Sequence, residues 1–211
     1  MNDCTVVKVG GSLFDLPDLR DRLCRFFASL DADRVLIVPG GGATADAIRA
    51  LDRLHHLGEE ASHWLAIRAL SVNACFLSEL LEAVRVSPVP GYFEGYFEGE
   101  GGRIRGPQSL AYASGSDGRL LVLDPLPFFQ TDESNADHLP HDWNVTSDSL
   151  AVRAAALVGA RELVLLKSVA WEGCNWQEAM RAQIVDGYFA QALASAPASL
   201  RVRIINLRKY S

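Results

Sequence analysis

Two apolar runs, each breaking into glycines, constrain the fold of this chain more than any other feature. Val6-Val7-Lys8-Val9 leads into Gly10-Gly11-Ser12, and Val35-Leu36-Ile37-Val38 leads into Pro39-Gly40-Gly41-Gly42. β-Branched residues favour a strand. Glycine ends it with a turn whose backbone can come close to another group. Exposed N–H groups on such turns attract anions, and Lys8 places a full positive charge beside the first of them. Two glycine loops at strand ends suggest a phosphate held between them.

The rest of the chain supplies alternating elements. Leu16, Leu19, Leu23, Phe26, Phe27 and Leu30 recur at helical spacing, with Pro17 suited to the first turn. Ala43 to His56 reads as a helix with Ile48, Leu51 and Leu54 on one side, and Glu59 to Val84 as a longer one. Leu120 to Leu123 is a strand ending at Asp124-Pro125. Asn144 to Ser149 opens a helix through Leu157, Glu162 to Leu166 is a strand, Gln177 to Ala194 a helix, and Arg201 to Leu207 a last strand. That alternation predicts a layered α/β fold with a parallel sheet.

Composition removes several function classes. A net charge of −6 argues against a nucleic-acid binder, which would need a basic face to replace counterions. No stretch approaches the roughly 20 apolar residues of a membrane helix, and no signal peptide is visible, which predicts a cytoplasmic protein. Cys4, Cys24, Cys75 and Cys174 form no metal-type spacing and read as reduced core thiols. The P-loop pattern is absent, because Lys8 precedes its glycines. Gly40 to Ala45 fits a dinucleotide fingerprint, but the acids about 20 residues on, Glu59 and Glu60, fall in a helix where the fingerprint requires a strand end.

Between these elements lie two irregular stretches. Pro88 to Gly118 is rich in Gly, Pro and Ser and holds a tandem repeat, Tyr92-Phe93-Glu94-Gly95 and Tyr96-Phe97-Glu98-Gly99. It reads as a surface loop, or alternatively as an aromatic flap over a substrate. Thr131 to Asp142 carries Asp132, Glu133, Asp137, His138, His141 and Asp142. These are metal-ligand types, but their spacing matches no specific template, so a solvated loop bordering the active site is the simpler reading.

Phosphoryl transfer needs positioning and charge neutralisation above all. Gly10, Gly11 and Ser12 are candidates for the nucleotide phosphates, Lys8 for the transferred group, and Gly40, Gly41 and Gly42 for the acceptor end. Asp148 is open to two readings: it orients a lysine, or it is an acid favoured by the helix dipole in a first turn.

Val7-Lys8-Val9-Gly10-Gly11-Ser12, Val38-Pro39-Gly40-Gly41-Gly42 and Asn144-Val145-Thr146-Ser147-Asp148 resemble, in order, the three signature stretches of the amino acid kinase family. The resemblance implies a three-layer α/β/α sandwich with a central, largely parallel sheet, formed by residues 1–211 as a single domain. ATP with Mg2+ would lie over a C-terminal half of about 140–211, and a small-molecule acceptor over an N-terminal half of about 1–125. It also implies a homo-oligomer. Lys8 would stabilise the phosphoryl group and Asp148 would organise the lysines around it. Asn144 and Thr146 would help hold the acceptor, and Gly11 and Gly41 would offer N–H groups. Within the family, Asp142–Ser149 and Leu165–Val169 are similar to a branch that phosphorylates a furan phosphate monoester in methanofuran synthesis. Many relatives carry a second catalytic lysine late in the nucleotide half, and neither Glu172–Asn175 nor Asp186-Gly187 holds one. Lys167, followed by Ser168, either takes that place on the ATP side or is a solvent-facing lysine at a strand end. With no second lysine, a non-catalytic nucleotide or oxyanion storage protein of the same fold becomes the alternative.

Overall fold

The apolar runs become the strands of a sheet. In the computed structural model, which describes residues 4–87, 119–173 and 175–210, these are β1 (Cys4–Val9), β2 (Arg34–Pro39), β3 (Val84–Val86), β4 (Leu120–Leu123), β5 (Glu162–Lys167) and β6 (Arg201–Asn206). They pair in the order β3-β4-β2-β1-β5-β6, every pair parallel. The Tyr92–Gly99 repeat and Cys174 lie outside the described residues.

Parallel strands need crossover connections, and helices supply them on both faces. The helices are α1 (Leu19–Ala28), α2 (Gly42–His55), α3 (Glu59–Leu81), α4 (Pro125–Asp132), α5 (Ser147–Leu157), α6 (Trp176–Arg181) and α7 (Phe189–Ala194). Against one face α1 packs Leu19, Leu23, Phe26 and Phe27 onto Val7, Val9, Val35 and Ile37. Against the other, α4, α5 and α7 pack Phe128, Leu150, Ala151, Ala154 and Phe189 onto Val6, Leu36, Leu163 and Leu165. The result is a three-layer α/β/α sandwich.

Strand alternation decides which face each lysine meets. Lys8 follows Val6 by two residues and Lys167 follows Leu165 by two, so both leave the sheet on the face that carries α5. β1 and β5 are neighbours, with Lys8 beside Leu165. The two ammonium groups therefore meet at the carboxyl ends of adjacent strands, where open parallel sheets bind ligands.

Several elements differ from their sequence expectations. α1 begins at Leu19, which leaves Pro17 ahead of the helix. Leu51 and Leu54 of α2 are exposed. α3 stops at Leu81, and Val84 belongs to β3. α4 was not expected; Pro125 opens it, where its missing N–H costs nothing. The predicted helix over 177–194 breaks into α6 and α7. Of the described cysteines only Cys4 is buried, while Cys24 and Cys75 are exposed. By length and composition α3 is apolar enough to cross a membrane, contrary to the sequence expectation. Here it packs along the sheet through Ile67, Leu70, Ala74, Leu77 and Leu81.

Candidate active site

Two glycine loops meet backbone to backbone. A Cβ on Gly11 would collide with the main chain at Gly42, so no larger residue fits without parting the loops. Gly42 itself has φ +53°, a left-handed conformation that glycine adopts at no steric cost. Gly10 donates its N–H to Leu166 O at 2.9 Å and Gly40 donates to Val9 O at 2.8 Å, which ties both loops to the sheet. Buried Asn73 of α3 holds the second loop, donating to Gly40 O and Gly41 O, each at 2.7 Å. Gly11 opens a short 3-10 turn and Gly42 opens α2. The first N–H groups of a helix have no partner within it, so both loops present donors to the space between them.

That space is a cavity of about 440 Å³. Lys8, Gly11, Ser12, Gly41, Gly42 and Thr146 line it, with an apolar wall from Ala45, Ala66, Ile67, Leu70, Val145 and Leu150. Trp143 and Arg49 close one side, the guanidinium carbon 4.7 Å from the indole centroid. Asp46, Asp142, His63, Ser147 and Gln183 complete the polar lining. Burial, followed by the nearby charge of His141, pushes the His63 imidazole down to about 4.

Beside the cavity lies a buried ion triplet. Lys8 Nζ is 2.9 Å from Asp148 Oδ1, and Lys167 Nζ is 2.8 and 2.6 Å from the two carboxylate oxygens. Burial alone would raise the Asp148 carboxyl, but the two ammonium charges outweigh it and hold the group below the usual carboxylate range. Lys167 is not a solvent-facing strand end: its side chain is 13% exposed. Burial, then the charge of Lys8, brings it down to about 8 despite its bond to Asp148. Two cations share one carboxylate beside the cavity, so an ammonium group is held where a phosphoryl group would be stabilised.

A second buried acid fixes the helix that carries Asp148. Thr146, which precedes α5, makes no side-chain cap of its own. Asp186 instead accepts from Thr146 N, Thr146 Oγ1 and Ser149 N, each at 2.9 Å, and from Ser149 Oγ at 2.5 Å. It is an N-cap supplied from the loop between α6 and α7. Burial and the charge of Asp148 raise its carboxyl, and the bonds from Ser149 and Thr146 partly offset that. The sequence signal was the Asp-Gly pair inside an apparently continuous helix, which marks a turn. Replacing Asp186 by Ala is expected to cost about 2 kcal/mol, the upper range for a lost cap, read as a lower urea midpoint.

The remaining sequence candidates fall in different places. Ser12 Oγ donates to Ser168 Oγ at 3.0 Å, joining the first loop to the end of β5. Asn144 is exposed and does not line the cavity; its carbonyl accepts from Tyr188 N at 3.2 Å. Thr131 to Asp142 borders the cavity as expected, but it is not merely solvated. Asp132 is buried and takes both Nε and Nη2 of Arg153, at 2.8 and 2.7 Å.

These arrangements have relatives. The family described as "Amino acid kinase family" matches residues 3–170. The (5-(aminomethyl)furan-3-yl)methyl phosphate kinase of Methanocaldococcus jannaschii is 26% identical over 168 residues, covering 78% of this chain. The match spans 65% of that relative's own length. Among solved structures, UMP kinase from Ureaplasma parvum superposes with a TM-score of 0.59 at 12% identity, covering 100% of this chain and 92% of that one. Uridylate kinase from Archaeoglobus fulgidus gives 0.56 at 14% identity, covering 96% and 90%. At these identities the two structures establish a shared fold.

Proposed function

The chain belongs to the amino acid kinase family, and we propose on that premise that it transfers the γ-phosphoryl group of ATP to a small phosphate-monoester or carboxylate acceptor. The observation that carries this reading is the buried Lys8–Asp148–Lys167 triplet beside a cavity walled by two glycine loops. An acceptor oxygen attacks the γ-phosphorus, the bond to the ADP oxygen breaks, and negative charge builds on the oxygens between them. Lys8 stabilises that charge from the acceptor side and Lys167 from the nucleotide side, while Asp148 aims both.

Gly11 and Ser12, with Ser168 hydrogen-bonded beside them, bind the nucleotide phosphates; Gly41, Gly42 and Thr146 bind the acceptor. Gly10 and Gly40, whose N–H groups are spent on the sheet, hold the loops in place. Asn144 acts through the main chain beside Asp186.

The triplet also favours an anionic acceptor. Asp148 is bonded to both lysines and is poorly placed to deprotonate an alcohol. An acceptor phosphate or carboxylate is already ionised near neutral pH and needs no general base. Asp148 and Asp186 are both fully engaged, so Mg2+ would travel on the ATP phosphates and supply charge neutralisation there.

The compound in the archaeal relative's name suits the cavity. A furan ring fits the apolar wall beside Trp143, an amine suits Asp46 or Asp142, and a phosphate suits the seat at Lys8. We place the reaction in methanofuran or tetrahydromethanopterin-type one-carbon cofactor synthesis, in the cytoplasm. Exposed Leu51 and Leu54 of α2 are the surface on which we expect a second copy to pack.

The test is ADP release from Mg-ATP with a panel of the furan phosphate, UMP, isopentenyl phosphate and N-acetylglutamate. Acceptor-dependent release, highest with the furan phosphate, is expected. Tight ATP binding with no acceptor-dependent release would favour the storage reading instead.

A further inference from the structure

A cluster outside the phosphoryl site is built from the loop between α4 and α5. Glu133, His138 and His141 each bring one ligand atom to within 4.8 Å of the others. We propose that these residues bind a divalent transition-metal ion of the zinc class, with Glu60 as the outer partner that orients His141.

His141 is held as metal-bound histidines are. Its Nδ1 lies 2.6 Å from Glu60 Oε2, and the other oxygen of Glu60 accepts from Trp64 Nε1 at 2.7 Å. The imidazole also stacks on His63, with centroids 4.0 Å apart and planes 14° apart. A carboxylate on one ring nitrogen fixes the tautomer and leaves the other nitrogen for the ion. That other nitrogen, Nε2, is hydrogen-bonded to Glu133 Oε1 at 2.9 Å without the ion, which would displace the shared proton and bind both atoms. Ligands about 2.0–2.1 Å from a tetrahedral ion lie roughly 3.3 Å from each other, so a small opening of this pair admits one.

His138 lies within reach of the same point. Its Nδ1 is 3.0 Å from Leu139 O and 4.0 Å from Glu133 Oε1, so a turn of the exposed ring brings a nitrogen lone pair onto the ion. The His138 and His141 centroids are 5.6 Å apart. Two imidazoles on one tetrahedral zinc sit at roughly 5 to 5.5 Å. Two imidazoles and a carboxylate suit zinc, and a water completes four-coordination. The ion would pin the 133–141 loop against the first turns of α3. That loop runs directly into Asp142 and Trp143 of the cavity wall, so the ion would fix one side of the cavity.

The test uses the full chain without nucleotide, as Cys24→Ser/Cys75→Ser to remove the two exposed described thiols. Cobalt(II) is titrated and followed by its visible d–d bands, zinc competition is followed calorimetrically, and thermal midpoints are recorded. We expect one ion per chain with four-coordinate cobalt bands, a raised midpoint, loss of binding in His138→Ala and His141→Ala, and about 10–100-fold weaker binding in Glu60→Gln. His138 is exposed, so its variant should fold even where His141→Ala does not. The proposal is overturned by absence of saturable binding or by binding that survives both histidine substitutions. It is equally overturned by a thiolate charge-transfer band, or by binding lost instead on replacing His55 and His56, exposed at the end of α2.

Discussion

Replacing Lys8 by Met is expected to lower kcat by about 10²–10³-fold, the usual cost of removing one preorganised charge stabiliser, with the fold intact. The asymmetry follows from the triplet. Lys167 still pairs with Asp148 through both carboxylate oxygens, so no buried charge is stranded, and the repulsion between two buried cations disappears. The thermal midpoint should stay level or rise. A second readout separates this from a merely structural change. The charge of Lys8 contributes to holding Lys167 near 8, so wild-type activity should fall as pH rises through about 8, when Lys167 loses its proton. In Lys8→Met the alkaline limb of the residual activity should move upward.

Stability carries the opposite sign in that range. The unfolded chain keeps the Lys167 proton up to its ordinary value of 10.5, while the folded chain releases it near 8. Between those values the unfolded state binds more protons, so this group makes the protein more stable as pH rises. Activity lost while stability holds would identify the titrating group as catalytic.

Asp148→Asn should remove activity and stability together. Two buried ammonium groups then face one another without the carboxylate that bonds them both, leaving only the more remote charge of Asp186, and stranding a buried charge costs about 3–5 kcal/mol. The urea midpoint should drop by roughly 1.5–2.5 M for an m-value near 2 kcal/mol/M. Lys8→Met in the same background should recover part of that stability and none of the rate. A simple helix-dipole role for Asp148 predicts instead a loss of about 0.3–1 kcal/mol and no interaction with Lys8.

Much of the architecture was legible because its signals were local. Valine-rich runs ending in glycines gave β1, β2 and both loops. The alternation of elements, with the family resemblance, gave the parallel sheet and the order of the motifs. β3 was hidden because Glu82, the residue after α3, has φ 51°, a left-handed stop without the usual glycine. Three strand residues then followed a long apolar helix with nothing to punctuate them.

The site was readable only in pieces. Lys8, Asp148 and Lys167 were all named, but whether Lys167 faced solvent depended on a period-2 register that a continuous apolar strand such as Leu163–Leu166 does not reveal. Asp186 looked like a missing lysine and proved to be the cap that seats Asp148's helix. The pairing of His141 with Glu60, separated by 81 positions, leaves no trace in local spacing. Neither does the backbone contact of Gly11 with Gly42.

Phosphorus NMR of the wild-type chain with Mg-ATP and the furan phosphate monoester tests the central claim most directly. Coupled diphosphate resonances of a new product should grow as the γ-phosphate of ATP disappears, one for one with ADP, and both should grow about 10²–10³-fold more slowly with Lys8→Met. ATP left intact beside bound protein, or γ-phosphate released only as inorganic phosphate, would contradict it.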